Sequence, residues 1–265
     1  MTVPTRSASP SRRTAQPPAG RTTLPTAIAV DLGSCTTGVW AAHRGTISGA
    51  SGDAHDAAGA LVRRGRVVDV DGCVTLLSQL VRQYPDPLPA GGVVVACRPV
   101  LASEADQAAT HRVLDAVFAP DRVLFVDTVR AAAIGSGAAA GTLLVVDVGA
   151  ELTEVALLQD GRVIAARRAE IGTRDLTRGA TVDLISDNVV RHIDDLRAGP
   201  DAPGVLAAMA RGLLQVGDGA LHPGLAAAVA GRLRVRVHRA AAPRTAALNG
   251  AGLAAMSLLR HPAGV

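Results

Sequence analysis

The feature that most constrains the fold of this chain is an internal repeat, in which two stretches align without gaps at an offset of 116 residues. The first reads V-D-L-G-S-C-T-T-G-V-W from Val30 to Trp40, and the second reads V-D-V-G-A-E-L-T-E-V-A from Val146 to Ala156. Each copy joins an apolar strand, a D-x-G turn and a second strand, which is the pattern of a β-hairpin. Two hairpins of one design predict a fold made of two related halves.

The D-x-G turns indicate phosphate binding. An Asp at the end of a strand can order the water shell of Mg²⁺, and the following Gly lets backbone N–H groups approach a phosphate. A single copy would favour an ordinary Asp-Gly turn, whereas two copies in register favour a phosphate clamp. The predicted phosphate-binding residues are Asp31, Gly33, Ser34, Thr36, Thr37, Asp147, Gly149 and Thr153, with Asp31 and Asp147 also holding Mg²⁺ through water.

A third glycine-rich segment, L-L-Q-V-G-D-G-A-L-H-P-G-L, runs from Leu213 to Leu225. It predicts a strand, a glycine turn and then a helix from Leu225 to Leu233. The N-terminus of a helix that follows a glycine turn favours polar or anionic ligands. Taken alone, this segment would be an ordinary connection between a strand and a helix.

The residue content excludes several classes of function. All 27 basic residues counted as Lys or Arg are arginines. A Walker A loop, a protein kinase and Schiff-base chemistry each need a lysine, so none of them fits. Four of the arginines lie in the first 26 residues, and the other 23 balance 23 acidic residues. This neutral body argues against nucleic-acid binding.

Composition predicts the character of the N-terminal tail and bears on membrane segments and cysteine sites. Residues 1–26 are rich in Arg, Ser and Pro and are predicted to form a disordered, solvated tail, with weak contact to anionic lipid as the alternative. No run of about 18 apolar residues occurs, so no integral membrane segment is expected. Three widely spaced cysteines match neither a disulfide framework nor a zinc site.

Strands and helices alternate along the chain, which predicts an α/β protein with two sheets. Ser103 and Asp106 form a capping-box pattern that predicts a helix extending to about Val117. Apolar residues at helical spacing predict an amphipathic helix over Thr181–Leu196. The pattern G-A-G-L-A-A that begins at Gly250 is not a dinucleotide site, because too few residues follow it for the helix and strand that such a site requires.

The two hairpins and the G-x-G-A-L-x-P-G-L segment resemble the two phosphate loops and the adenosine loop of the MreB family of bacterial actin homologues, over about Ala27–Leu259. The closing stretch A-A-L-N-G-A-G favours MreB over the Hsp70 chaperones and sugar kinases that share the fold. The resemblance implies a duplicated actin-like (ribonuclease H-like) fold with lobe I over residues 27–138 and lobe II over residues 139–265. It also implies ATP with Mg²⁺ as the cofactor, and an adenosine site at Gly217, Asp218 and Gly219.

The sequence departs from the family in ways that argue against efficient hydrolysis. The two roof subdomains of full-length relatives are reduced or absent, because there is too little chain between Trp40 and Val93 and between Gly172 and Gly217. Glu151 stands in the second phosphate loop, where its charge would repel phosphate. Thr128 stands where the family has the Glu that positions water, so Asp127 is the remaining catalytic candidate. We therefore expect at most weak ATPase activity.

These observations favour a degenerate ATPase that acts as a regulator or partner of full-length MreB-like filaments or other cell-shape machinery. The resemblance implies a cytoplasmic location, with attachment to the inner face of the membrane as an alternative. Two other functions stay open: an active, polymerising actin-like ATPase, and a small-molecule kinase of the same fold. The kinase has less support, since the sequence shows no clear catalytic base and leaves little chain for a substrate lid.

Overall fold

The computed structural model describes residues 26–51 and 59–260, so the predicted N-terminal tail lies outside the described residues except for Thr26. The first half contains β1 (Ala27–Leu32), β2 (Thr36–Ala41), β3 (Gly45–Ala50), β4 (Val62–Arg63), β5 (Arg66–Val67), α1 (Val70–Val81), β6 (Val93–Arg98), α2 (Glu104–Phe118), β7 (Arg122–Asp127) and α3 (Thr128–Gly135). The second half contains β8 (Thr142–Val148), β9 (Thr153–Gln159), β10 (Arg162–Ala169), α4 (Thr173–Leu176), α5 (Val182–Arg197), α6 (Ala202–Arg211), β11 (Leu213–Val216), a 3₁₀ turn (Asp218–Leu221), α7 (Pro223–Leu233), β12 (Val237–Arg239) and α8 (Ala246–Arg260).

The two halves carry five-stranded sheets of identical topology. Their strand orders are β3-β2-β1-β6-β7 and β10-β9-β8-β11-β12. In each sheet the first three strands form an antiparallel meander, and the next two are parallel to the central strand. The structure thus confirms the duplication expected from the repeat, and the fold is the α/β, two-lobed, actin-like one.

Helices α2 and α5 begin at the capping residues that the sequence predicted. The Ser103 hydroxyl accepts from the Asp106 N–H, and the Asp106 carboxylate accepts in return, so the capping box begins α2. The Thr181 side chain likewise caps α5. Helices α1 and α2 bury the outer face of the first sheet, and α5, α6 and α7 bury that of the second. Burial on both faces explains the continuous apolar runs of the central strands.

Helices α3 and α8 pack between the two sheets, and one apolar core there draws side chains from both halves. Their backbones touch at two glycines. A Cβ on Gly135 would collide with the Ala246 carbonyl oxygen, and one on Gly250 would collide with that of Ala131. Gly250 therefore serves helix packing, in agreement with the rejection of a dinucleotide motif. Helix α8 also contacts β1 and β6, so this last described helix packs against the first sheet.

In the two stretches where roof subdomains were expected, the described residues form few elements. At the first position stands the β4–β5 ribbon, and at the second only the four-residue helix α4 precedes α5. Across residues 26–51 and 59–260, the helices are too short or too polar to cross a membrane.

Candidate functional site

The two D-x-G turns open into one cleft at the carboxyl ends of the central strands β1 and β8. In both hairpins the turn glycine is held alike: the Gly33 N–H donates to the Thr36 carbonyl at 3.1 Å, and the Gly149 N–H donates to that of Leu152 at 2.8 Å. The cleft encloses a cavity of about 400 Å³. The predicted site residues on its wall are Asp31, Gly33, Ser34, Thr36, Asp147, Gly149, Gly217 and Asp218.

Three predicted residues do not reach this cavity. The Thr37 hydroxyl is buried and bonded to the Ser51 hydroxyl at 2.8 Å, and the Thr153 hydroxyl donates to the Ile171 carbonyl at 2.8 Å. Both threonines alternate away from the cleft on their strands and hold the structure together instead. Gly219 packs below the wall, where a Cβ would strike Val148. The assignment of Thr37 and Thr153 as phosphate donors is therefore corrected.

The cleft is strongly acidic at its base. Loss of solvation raises the pKa of Asp31 to about 6. Burial, together with the charges of Asp31 and Asp218, raises the pKa of Asp147 to about 7. The sequence reasoning missed a third carboxylate, Glu154, which lines the same cavity and lies directly opposite Asp147 in the β8–β9 register. Burial and then the Asp147 charge raise its pKa well above its ordinary value.

Glu154 could have been found from the second hairpin, because antiparallel pairing about D-V-G-A-E-L-T-E places it across from Asp147. Its Oε1 accepts the Val100 N–H at 2.6 Å, which fixes the carboxyl group against the first half. The corresponding residue of the first hairpin is Gly38, opposite Asp31. The acidity of the cleft is therefore asymmetric between the halves.

Asp127, the catalytic candidate, is turned away from the cavity. Its Oδ1 accepts from Arg98 Nε at 2.9 Å, across the neighbouring parallel strands β6 and β7. Thr128 lines the cavity in its place, and its hydroxyl donates to the Arg98 carbonyl at 3.0 Å. The structure gives Asp127 an ion-pair role, so its assignment as a candidate for positioning water is corrected.

Glu151 does not project as a free charge into the second phosphate loop. Its side chain is only 5% exposed and accepts from Arg174 Nη1 and from the Arg64 backbone N–H, both at 2.9 Å. Burial opposes its ionisation, but these hydrogen bonds and the two arginine charges hold the pKa of Glu151 below its usual range. The repulsion expected from Glu151 is thereby neutralised within the protein.

The same arginines tie the two halves together across the cleft. Arg174 Nη2 donates to the Ser34 carbonyl in the first turn at 3.1 Å. Arg64, at the tip of the β4–β5 ribbon, also pairs with Asp175 at 3.5 Å, and its neighbour Arg66 pairs with Glu170 at 2.9 Å. We call Arg64, Glu151 and Arg174 the cleft clamp. No local sequence signal marks it, since Arg64 and Glu151 lie 87 residues apart.

A second cavity of about 590 Å³ adjoins the first beside the 3₁₀ turn. Its wall combines apolar and basic side chains: Leu176, Leu221, Pro223, Arg174, His222 and Arg244. Asp218 lines both cavities and pairs with Arg244 Nε at 2.6 Å. The expected adenosine segment therefore stands at the border between an acidic space and a mixed apolar and basic one.

The donor set fits a magnesium nucleotide. Among the described residues, the backbone N–H groups of Ser34, Cys35, Ala150 and Glu151 donate to no protein acceptor, so both turns retain donors suited to an anion. A Cβ at Gly217, where φ is +78°, would collide with the Asp147 carboxylate, so a glycine is required at the wall. Nowhere in the described part of the chain do three His, Cys, Asp or Glu side chains group in a way that could ligate a metal directly.

Comparison with known proteins agrees with this architecture. The family model described as MreB/Mbl protein matches residues 57–187. The structure of MreB5 of Spiroplasma citri bound to AMPPNP superimposes with a TM-score of 0.75 at 12% identity, over 91% of this chain and 98% of that one.

Two further solved structures share the fold. One is the MamK double helical filament, with a TM-score of 0.72 at 14% identity over 88% of this chain and 99% of that one. The other is the ethanolamine utilization protein EutJ from Carboxydothermus hydrogenoformans, with a TM-score of 0.65 at 16% identity over 86% of this chain and 89% of that one. A search of curated proteins finds no match in sequence.

Proposed function

We propose that this chain, an MreB-like protein with the actin fold, binds a magnesium nucleotide in its cleft and acts as a partner or regulator of the cell-shape cytoskeleton rather than as an efficient ATPase. ATP is the expected nucleotide. The observation that carries the proposal is the contrast within one cleft: both phosphate turns retain free N–H groups, while Asp127 is held by Arg98 outside the cavity.

Magnesium is needed for this binding. Asp31, Asp147 and Glu154 face the cavity, and a phosphate tail would be repelled by whichever of them is ionised. Mg²⁺ held through water by Asp31 and Asp147 would supply the positive charge that the carboxylates and the phosphates share. The free N–H groups of the two turns would orient the phosphates from either side.

The cleft clamp supports a regulatory or partner role. In a nucleotide-driven motor protein, the ligand bridges the two lobes and its phosphates govern their closure. Here Arg174 and Arg64 bridge the lobes through protein groups, namely Glu151, the Ser34 carbonyl and Asp175. Nucleotide binding would then change the separation of the lobes only slightly, which suits a constant binding surface better than a cycle of assembly.

The partners we propose are other proteins, with full-length MreB-like filaments or other cell-shape machinery as the first candidates and the cytoplasm as the location. MamK, whose fold this chain shares, forms a double helical filament. PilM, with a TM-score of 0.61, was solved in a complex with PilN. Both assembly and partner binding are thus compatible with this fold.

A second candidate function is an active, polymerising ATPase, and Glu154 is the observation that favours it. This carboxyl group lies in the cavity opposite Asp147. Burial and the charge of Asp147 raise its pKa and so favour the protonated form, which makes Glu154 a weaker base unless a cation in the cleft lowers that pKa.

Calorimetric titration of the full chain with ATP and Mg²⁺ tests the proposal, together with phosphate release over many turnovers. We expect saturable, magnesium-dependent binding that weakens on the order of ten-fold in Asp31→Asn, with no sustained phosphate release. The exposed Asp86→Asn is the matched control and should bind like the parent chain. An absence of binding at millimolar nucleotide would overturn the proposal, and sustained turnover abolished by Glu154→Gln would establish the second candidate instead.

A further inference from the structure

The sequence after Asp218 contains arginines but no acidic residue. Asp218 is the last acidic residue of the sequence, and the 47 residues after it contain six arginines. Three of these, Arg234, Arg236 and Arg239, fall within six residues around the strand β12. This concentration of charge is not used by the nucleotide cleft.

Strand β12 lies at the edge of the second sheet, and among the described strands it pairs with β11 alone. The Arg236 carbonyl accepts the Leu213 N–H at 2.9 Å, and the Ala240 N–H donates to the Gln215 carbonyl at 3.1 Å. In a parallel ladder, alternate residues direct their backbone groups to the same neighbour. The backbone N–H and C=O groups of Val237 and Arg239 therefore point to the open side, where a further strand could pair.

The side chains along this edge alternate between core and solvent. Val235 and Val237 pack against the core below α7, so Arg236 and His238 project from the opposite face. Arg234, Arg236 and Arg239 are exposed and make no ion pair with any carboxylate of the described residues. Arg232, one turn earlier, is by contrast neutralised by Asp183 at 3.2 Å and by Asp187.

We propose that β12 is a docking edge for an acidic, extended segment of a partner protein, which adds to the second sheet as a sixth strand. The partner's backbone would pair with Val237 and Arg239, as in other cases of strand addition. Carboxylates on one face of the partner strand would lie across from Arg236, while Arg234 and Arg239 add positive charge at either end of the edge. Together they would supply specificity and a fast, salt-sensitive encounter.

The charge of the edge excludes the other simple occupants. A second copy paired edge to edge would place arginines against arginines, and like charges across a strand pair are destabilising. The chain's own residues 1–26 carry four arginines and no acid, so they would be repelled as well. An anionic membrane would satisfy the arginines but not the open backbone groups, and none of the strongly exposed large apolar side chains lies between residues 222 and 252 to anchor one.

The probe is a fluorescent ten-residue peptide of alternating Glu and Val, titrated against the full chain by anisotropy. Its controls are the same peptide with Gln for Glu, and the Glu peptide N-methylated at every second residue so that it cannot form a strand pair. The protein variants are the double charge reversal Arg236→Glu/Arg239→Glu and, as a matched control on the exposed surface of α2, Arg112→Glu. Hydrogen exchange of the Val237 and Arg239 amides reports strand addition directly.

We expect the Glu peptide to bind, the double reversal to weaken binding by about ten-fold or more, and Arg112→Glu to change it less than about two-fold. Bound peptide should slow exchange at the Val237 and Arg239 amides, and both control peptides should bind at least about ten-fold more weakly. Equal binding of the N-methylated peptide would overturn the proposal. Binding to phosphatidylglycerol vesicles without binding to the peptide would do the same and assign the patch to a membrane.

Discussion

At the scale of single residues, the carboxylates of the cleft couple stability to pH. The pKa of Asp147 rises from 3.8 to about 7 and that of Asp31 to about 6 in the folded protein. Between about pH 4 and pH 7 the folded state therefore binds more protons than the unfolded state, and the free energy of unfolding falls as pH rises through that window. The ligand-free protein should be more stable at pH 5 than at pH 8.

Asp147→Asn should remove much of this dependence, because the amide cannot ionise. We expect the variant to be about 1–3 kcal/mol more stable than the parent chain at pH 8 without divalent cations, and similar to it at pH 4. Urea unfolding followed by circular dichroism at several pH values measures the effect. Asp86→Asn, on the exposed surface, should leave the slope unchanged, and an equal slope in Asp147→Asn would contradict the account.

The single carboxylate of Glu151 determines whether the charges of the clamp arginines are neutralised. In Glu151→Gln, Arg174 and Arg64 lose their shared anion and become available to phosphate. Magnesium nucleotide should bind several-fold more tightly, while the free energy of unfolding falls by about 1–3 kcal/mol, since a partner of a buried hydrogen-bonded pair is weakened.

Nucleotide titration and urea unfolding of Glu151→Gln measure the expected gain in affinity and the expected loss of stability. The matched control is Glu170→Gln, whose side chain is 44% exposed in its pair with Arg66 and should change both quantities little. Weaker nucleotide binding in Glu151→Gln than in the parent chain would show that Glu151 assists phosphate binding rather than opposing it.

At the scale of elements, the contact of α3 with α8 holds the two sheets together. Gly250→Ala should destabilise the protein by about 3 kcal/mol or more, because the new methyl group would meet the Ala131 carbonyl oxygen and the helices must separate. Gly231→Ala is the control, since it lies in α7 with open space around its Cβ position and should stabilise by about 0.5–1 kcal/mol. Thermal unfolding of both variants measures the difference, and equal stabilities would refute this role of α8.

At the scale of the whole molecule, the small size of the two stretches expected to form roof subdomains bears on assembly. Actin-like filaments stack subunits head to tail, which requires complementary surfaces at both poles. The remnants here are the β4–β5 ribbon and the four-residue helix α4, and the clamp turns the ribbon inward onto Glu151. Stable protein interfaces bury on the order of 1,200–2,000 Å². The ribbon and α4 offer too little surface for a contact of that size.

We therefore expect the purified chain not to form long filaments alone. Ultracentrifugal sedimentation with ATP and Mg²⁺ should leave it in the supernatant, with electron microscopy as a check on short oligomers. Mixing with a full-length MreB-like protein should shift part of it to the pellet, if one intact pole docks on a filament end. Abundant filaments from this chain alone would disprove the expectation.

The sequence by itself determined the features that depend on local chemistry. The repeat about Asp31 and Asp147 predicts two equivalent hairpins, because each turn and its flanking strands lie within 15 residues in the first copy and 18 in the second. The helix starts at Ser103 and Thr181 were predictable because a capping side chain bonds the backbone of its own first turn. The division of the chain at residues 138 and 139 stays a prediction, and α8 packs against the sheet of the other half.

Tertiary structure alone decided which side chains face the cleft and what neutralises them. The alternation of side chains along a strand predicts that Thr37 and Thr153 point away from the cleft residues beside them. Their hydrogen-bond partners, the Ser51 hydroxyl and the Ile171 carbonyl, are supplied only by the packed sheets. Asp127 is captured by Arg98 because two parallel strands bring residues 29 positions apart side by side. Glu151 meets Arg64 from 87 residues away. Such pairs form only when elements that are far apart in the sequence pack together, and no local sequence pattern specifies that packing.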